Sequence, residues 1–352
     1  MTEIELQKYI SSVLQSALKT DGETSSLNGY TIAVKLDEHT GQGHFDFIPT
    51  YPVKYAVDKK LNSEILGILS GALYPFFTLF AGGPSFVSTN LPLTRARALR
   101  FYFKVGTYSR KKVSIDESYI YSDFLPIMSG FDYDFKHNSG HVAITGSSGS
   151  GKTVMAEYLL SQFWLIGAKI IIIDPKLDRN LWSFASSRGI EYHYPKVDSN
   201  PNAFDNETLD VLSKAVKKIG ERQSHFLKNK SATFTPYIIF VDEAAAYSSK
   251  ASRELMEKIV LMGRACRVWL FVSAQSMDAT SVLSSTARDS MGLRVILSAN
   301  PSAEDCRYLM KGFDPNDIVI PHDEYSFGLG LIEQKSDGRV TPLLAPYIQN
   351  LE

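Results

Sequence analysis

Eight consecutive residues, Gly146-Ser147-Ser148-Gly149-Ser150-Gly151-Lys152-Thr153, fit G-x-x-x-x-G-K-[ST] at every fixed position. A strand-like run, His141-Val142-Ala143-Ile144-Thr145, leads in, and a helix-like run, Val154 to Leu160, leads out. Strand, glycine-rich loop and helix in that order predict a phosphate-binding loop set in an α/β core. A Gly/Ser linker matches the same letters by accident, but nothing then places it between a strand and a helix. The residue types follow from the task. Gly146, Gly149 and Gly151 let the backbone wrap its N–H groups around phosphate oxygens at a helix N-terminus, whose dipole favours anions. Lys152 is expected to reach the β- and γ-phosphates and the Thr153 hydroxyl to hold Mg²⁺, so ATP and Mg²⁺ are the implied ligands.

Downstream, continuous apolar strands alternate with helical patterns, which predicts a mostly parallel sheet covered on both faces. The second strand, Ala168 to Asp174, carries four isoleucines in a row and ends in Asp174-Pro175-Lys176. After an irregular stretch, Ser199 to Ala203, a long helix is expected, with Leu209, Leu212, Ala215, Val216, Ile219, Phe226 and Leu227 as its apolar face. The third strand, Tyr237-Ile238-Ile239-Phe240-Val241, runs into Asp242-Glu243. An Asp at such a strand tip ligates Mg²⁺ and the adjacent Glu polarises the attacking water, so Asp242 is assigned to the metal and Glu243 to the general base. A buried strand with a plain acidic cap imitates this pair. Its place about ninety residues after the phosphate loop is what argues for the motif. The fourth strand, Arg267 to Ser273, ends in Ala274-Gln275, where a neutral amide can hydrogen-bond the γ-phosphate or the lytic water, or merely cap the strand. A fifth strand spans Leu293 to Ser298.

The chain of 352 residues divides near residue 130 on this reading. Residues 1–130 predict an α+β module without chemistry of its own, suited to docking or assembly. It comprises an opening amphipathic helix with Ile4, Ile10, Val13, Leu14 and Ala17 on one side, strands at 30–36 and 44–48 joined through Gly41-Gln42-Gly43, and a strand at 98–105. Residues 65–94 lack any charge and are apolar enough to raise a membrane span, but Gly67, Gly71, Pro75, Gly82, Gly83 and Pro84 break the stretch, which favours a buried or interfacial segment. Arg95, Arg97, Arg100 and Lys104 follow it and read either as a solvated basic face or as partners of phosphates or anionic lipid heads. A net charge of −1 excludes a chain coated in positive charge, so contact with nucleic acid would need local patches or a surface assembled by several copies. Cys266 and Cys306 lack paired spacing, which implies a reducing compartment and no metal cluster. The charged opening helix is not a signal sequence, and a cytoplasmic location, in solution or at the inner face of the membrane, is expected.

In order, the phosphate loop, Ile172-Ile173-Asp174-Pro175-Lys176, the helix bearing Glu221-Arg222, Val241-Asp242-Glu243, Met262 to Gln275 and Arg294 to Ser298 resemble the motor domain of FtsK/SpoIIIE-type DNA translocases, within the FtsK/HerA superfamily. The resemblance covers about residues 135–345, and conjugative coupling proteins of Gram-positive mobile elements are similar as well. It implies a RecA-like P-loop core, a hexameric ring formed by copies of the chain, ATP hydrolysis at subunit interfaces, and DNA, single- or double-stranded, drawn through a central channel. An ATPase of that kind needs a cation from the next subunit at the γ-phosphate. Arg288 and Arg294, flanking the start of the fifth strand, are the candidates, with Arg264 behind them, although each also reads as an ordinary structural arginine. The family's Thr-Gln-Arg-Pro reads Ala274-Gln275-Ser276-Met277 here, and no winged-helix domain follows, which points away from chromosome segregation and towards a conjugative, transposon or phage-borne relative with a relaxase or a membrane secretion channel as partner. Two alternatives stand beside this: a viral or phage genome-packaging ATPase, and a non-translocating P-loop ATPase that assembles or regulates a membrane or secretion complex.

Overall fold

The computed structural model describes residues 1–18, 29–51, 56–196, 200, 202–246, 249–278, 282–310, 312–325 and 327–349. The chain forms two units, one of Met1–Tyr108 with Met310–Pro321 and Arg339–Pro342, the other of Ser109–Leu309 with His322–Gly338 and Leu343–Glu352. The first break falls at Tyr108 and two late segments belong with the first unit, whereas a shift in sequence pattern suggested a single break near 130. Local pattern cannot show a chain that returns.

The first unit is an α+β layer. Helix α1 (Glu3–Ala17) starts at a capping box between Thr2 and Glu5 and buries Leu6, Ile10 and Leu14. Ile10 and Leu14 of the expected stripe are thus buried and Val13 half-buried, while Ile4 and Ala17 are exposed and Leu6 joins the buried face instead. Strands β1 (Tyr30–Asp37) and β2 (Gln42–Pro49) form an antiparallel hairpin through Gly41. Helix α2 (Lys59–Leu73) begins at the Asp58 cap and ends where Pro75 forbids another turn. Strands β3 (Phe77–Leu79) and β4 (Ser85–Ser88) both pair antiparallel with β5 (Arg97–Val105), giving the order β1-β2-β5-β3. The uncharged stretch from residue 65 is thus a helix that buries Ile65, Leu66, Leu69 and Leu73, followed by two short strands. No helix among the described residues is long and apolar enough to cross a membrane. All four cations that follow have partners inside the unit: Arg100 pairs bidentately with Asp46 at 2.7 and 2.8 Å, Arg95 donates to Thr50, Arg97 lies over Tyr51 and Lys104 over Tyr108. The returning segments are held by specific bonds, with Ser63 donating to Asp317, Val319 N–H donating to Ser70 Oγ at 2.9 Å, and Val340 bridging Ala81.

The second unit opens with β6 (Lys112–Val113), β7 (Phe124–Met128) and β8 (Phe131–Asp134), of which β7 and β8 form a hairpin. Then come β9 (Val142–Gly146), α3 (Lys152–Leu165), β10 (Lys169–Ile173), α4 (Arg179–Ser187), β11 (Glu191–His193), α5 (Ala203–Lys228) and β12 (Tyr237–Val241). The chain continues through α6 (Lys250–Met262), β13 (Val268–Ala274), α7 (Ser285–Asp289), β14 (Leu293–Leu297), α8 (Ala303–Leu309), β15 (Leu329–Gln334), β16 (Arg339–Leu344) and β17 (Tyr347–Ile348). The main sheet runs β11-β10-β12-β13-β9-β14-β15-β16, parallel from β11 to β14 and antiparallel where β15 joins. Its central strands are buried from end to end and mostly apolar, with Thr145, Ser273 and Arg294 as the polar exceptions. On α5 the buried face is Thr208, Val211, Leu212, Ala215 and Ile219, while Leu227 is exposed. The expected apolar face therefore ran one turn too far towards the C-terminus and missed Val211. Ser199 and Pro201 of the expected irregular stretch lie outside the described residues.

Candidate functional site

Parallel register lines up the functional strand tips. Ile173 of β10 stands opposite Val241 of β12, and Val241 opposite Val272 of β13, so Asp174, Asp242 and Ser273 follow one another along one edge of the sheet. On the other side of β13, Ala274 stands opposite Thr145, which sets Gly146 and the phosphate loop on the same edge. In open α/β sheets the crevice outside the carboxyl ends of the strands is where ligands bind. Here it is a cleft of about 570 Å³, lined by the loop and first turn of α3, by Lys176 and Asp178, by Asp242 and Glu243, and by Phe327.

The loop has the backbone its glycines permit. Gly149 and Gly151 take φ of 78° and 101°, and Gly151 caps the N-terminus of α3 without a side-chain bond, which leaves the first N–H groups of the helix for a ligand. Lys152 Nζ donates to the carbonyls of Gly146 at 2.7 Å and Ser147 at 3.1 Å, so its ammonium already sits inside the loop. Burial holds its pKa below the ordinary lysine value, and the charges of Glu243 and Asp242 oppose that shift.

The acidic pair is built with strain and with neighbours. Partial burial pushes the Asp242 carboxyl up to about 6, with a contribution from the charges of Asp174 and Glu243, while hydrogen bonds from Ser273 Oγ and a backbone N–H pull the other way. Glu243 adopts φ of 45°, in the left-handed region that costs a non-glycine residue about 1 kcal/mol, and Leu177 at φ 53° does the same on the facing loop. Lys176 Nζ donates to Glu243 Oε1 at 2.8 Å, and that bond raises the lysine pKa. Asp174 is fully buried and serves structure: it accepts from the N–H groups of Lys176 at 2.7 Å and Asp178 at 2.6 Å and from the Tyr192 hydroxyl.

The structure therefore brings together the loop from 146 to 153, Asp242 and Glu243. Gln275 is exposed just beyond β13 and is not among the residues that line the cleft. Arg288 and Arg294 do not meet the requirement of a residue that reaches another copy. Arg288 is buried, donates to the Met277 carbonyl and lies over Tyr308. Arg294 is buried against Glu333 at 2.9 Å and donates to the Asp289 carbonyl at 3.0 Å. Their guanidiniums are committed inside the unit, which corrects the expectation that one of them is the finger. Arg264 is exposed, with one donor on the His137 carbonyl.

Comparisons with known proteins agree with this geometry. The AAA-like domain family matches residues 134–198. The FtsK domain-containing protein YdcQ of Bacillus subtilis (strain 168) is 27% identical over 201 residues, 53% of this chain and 40% of YdcQ. The chain thus spans well under half of that relative. Among solved structures, the pCW3 conjugation coupling protein TcpA, in a monomer form with ATPγS, superposes with a TM-score of 0.52 and 13% identity, over 98% of this chain and 96% of TcpA. At that identity the likeness shows the fold. The second unit has the fold of a P-loop ATPase and is similar in sequence to an FtsK domain. The cytoplasmic domain of the type VII secretion ATPase EccC from Thermomonospora curvata gives a TM-score of 0.47 and 17% identity over 65% of this chain and 29% of EccC.

Two features of the site are not legible in the sequence pattern. Lys176 belongs to the Asp174-Pro175-Lys176 run that carries the resemblance, but nothing in that run shows that its ammonium meets the Glu243 carboxylate. Phe327 lies far downstream in no recognisable motif and yet lines the cleft, because the segment before β15 returns to the phosphate loop: Gly328 N–H donates to the Ser150 carbonyl at 2.9 Å.

Proposed function

We propose that the chain hydrolyses ATP and couples hydrolysis to the movement of DNA through a ring of its own copies, as a coupling protein for conjugative or mobile-element transfer. The observation that carries the reading is the meeting of the phosphate loop and the Asp242–Glu243 tip in one cleft of nucleotide size. The loop N–H groups and Lys152 bind the β- and γ-phosphates. Glu243 takes a proton from water as its oxygen attacks the γ-phosphorus, and the bond to the β–γ bridging oxygen breaks to release ADP and phosphate.

The donor set suits Mg²⁺. A carboxyl lifted to about 6 by burial and like charge lines the cleft, and so does the Thr153 hydroxyl. Thr153 and Asp242 would hold the ion, which when bound neutralises charge on the phosphates. No arginine lines the cleft among the described residues, so the cation that meets the charge developing in the transition state comes from a neighbouring copy. Of the three arginines considered, Arg264 alone has the exposure that role demands.

DNA as the moving partner is supported by the relatives' descriptions, an FtsK domain in one and a conjugation coupling protein in the other. The test is ATP turnover with and without added single- and double-stranded DNA. A rate that rises several-fold with DNA is expected. A rate indifferent to both forms contradicts translocation and supports the alternative of a nucleotide switch in a secretion or membrane assembly, which the net charge of −1 also suits.

A further inference from the structure

Resting on the nucleotide-binding reading above, we infer that the ring of Phe327 is the wall against which the purine base of the nucleotide stacks, and that Arg110 is the residue that positions it. The phosphate loop accounts for one end of a nucleotide and leaves the flat, apolar base to be bound. Phe327 is the one aromatic side chain among the described residues lining the cleft, and it is half-buried, with part of its ring open to the cavity. A planar π surface is what an unpaired base finds attractive, and it serves any base because all have a π face.

The ring is held in place on both sides. Gly328, the next residue, donates to the Ser150 carbonyl at 2.9 Å and accepts from Ala345 N–H at 2.8 Å. On the other side, Arg110 grips the segment with four contacts: Nε and Nη2 reach Asp323 at 2.6 and 3.1 Å, Nη2 reaches the Phe327 carbonyl at 2.9 Å, and Nη1 reaches the Ala345 carbonyl at 2.7 Å. Its guanidinium lies 5.1 Å from the Tyr325 ring centre and 5.8 Å from that of Phe327, and its side chain is only 5% exposed. A planar fork that satisfies a carboxylate and two carbonyls at once cannot be copied by lysine. Such a clamp fixes the segment to within the tolerance a stacking surface needs, at a point beside the phosphate loop.

The experiment compares ATP with inorganic tripolyphosphate, which keeps the phosphates and lacks the base, and adds 2-aminopurine riboside triphosphate, whose fluorescence is quenched on stacking. Phe327→Ala is expected to weaken ATP binding about tenfold and leave tripolyphosphate unchanged, with the quenching seen in the wild-type chain lost and restored in Phe327→Tyr. Arg110→Lys is expected to produce the same split between ATP and tripolyphosphate in a chain whose circular dichroism is unchanged. Equal loss for both ligands, or wild-type binding of the fluorescent nucleotide without quenching, overturns the inference while leaving nucleotide binding intact. A wild-type chain that binds none of the three ligands overturns the nucleotide reading itself.

Discussion

Replacing Glu243 with glutamine is expected to lower ATP turnover by about 10²- to 10⁴-fold, the contribution of a positioned general base, while nucleotide affinity changes little. The amide keeps the size and the left-handed backbone position of Glu243 and can still accept from Lys176, so the cleft keeps its shape. What it loses is the capacity to take a proton. Lys152→Ala is expected to fail differently. It removes the cation that the loop carbonyls of Gly146 and Ser147 hold in place, so binding and turnover fall together. Nucleotide affinity by equilibrium dialysis and turnover by phosphate release separate the two cases. Full turnover in Glu243→Gln contradicts the role given to that carboxylate, and unchanged affinity in Lys152→Ala contradicts the role given to the loop.

The second large effect lies beneath the loop. Glu157, on α3, is 1% exposed, and neither carboxyl oxygen has a hydrogen-bond partner among the described residues. Burial and the charge of Asp178 push its pKa from 4.5 up to about 7, against the pull of Arg188. A carboxyl whose pKa is higher in the folded than in the unfolded chain stabilises the fold most below the unfolded value, and that advantage is lost as pH rises through the folded value. Between pH 4.5 and about 7 the folded chain gives up stability, and above pH 7 the full cost, about 3 kcal/mol, is present. Glu157→Gln removes the titration and retains the shape. It is therefore expected to raise the unfolding free energy by about 2–3 kcal/mol at pH 8 and by almost nothing at pH 4. Urea midpoints at the two pH values check this. A gain that is the same at both would show that the effect is packing rather than charge.

How much of this was legible in the residues depends on how local each feature is. The phosphate loop and the strands behind it were readable because eight fixed letters and short apolar runs specify backbone directly, and every strand expected in the second unit is present. Glu243 and Asp242 were placed in the cleft by the same logic, since a parallel sheet brings the strand tips to one edge. Burial of single side chains was not readable. Arg288 and Arg294 flank a strand start as expected, but their tight engagement with Met277, Tyr308 and Glu333 depends on contacts 11 to 39 residues away. Phe327 and Arg110 were invisible for the same reason, as the two meet across 217 residues and neither belongs to a pattern. The boundary near 130 missed the late segments because a returning chain leaves no mark where it leaves.

The central claim is that this cleft turns over ATP only when a neighbouring copy completes it. The measurement that tests it most directly is the turnover rate per chain at saturating ATP across a range of protein concentrations, with the mass in solution recorded at each. The account predicts a per-chain rate that is low in monomer and rises in step with assembly. A monomer that hydrolyses ATP at full rate at every concentration would contradict it.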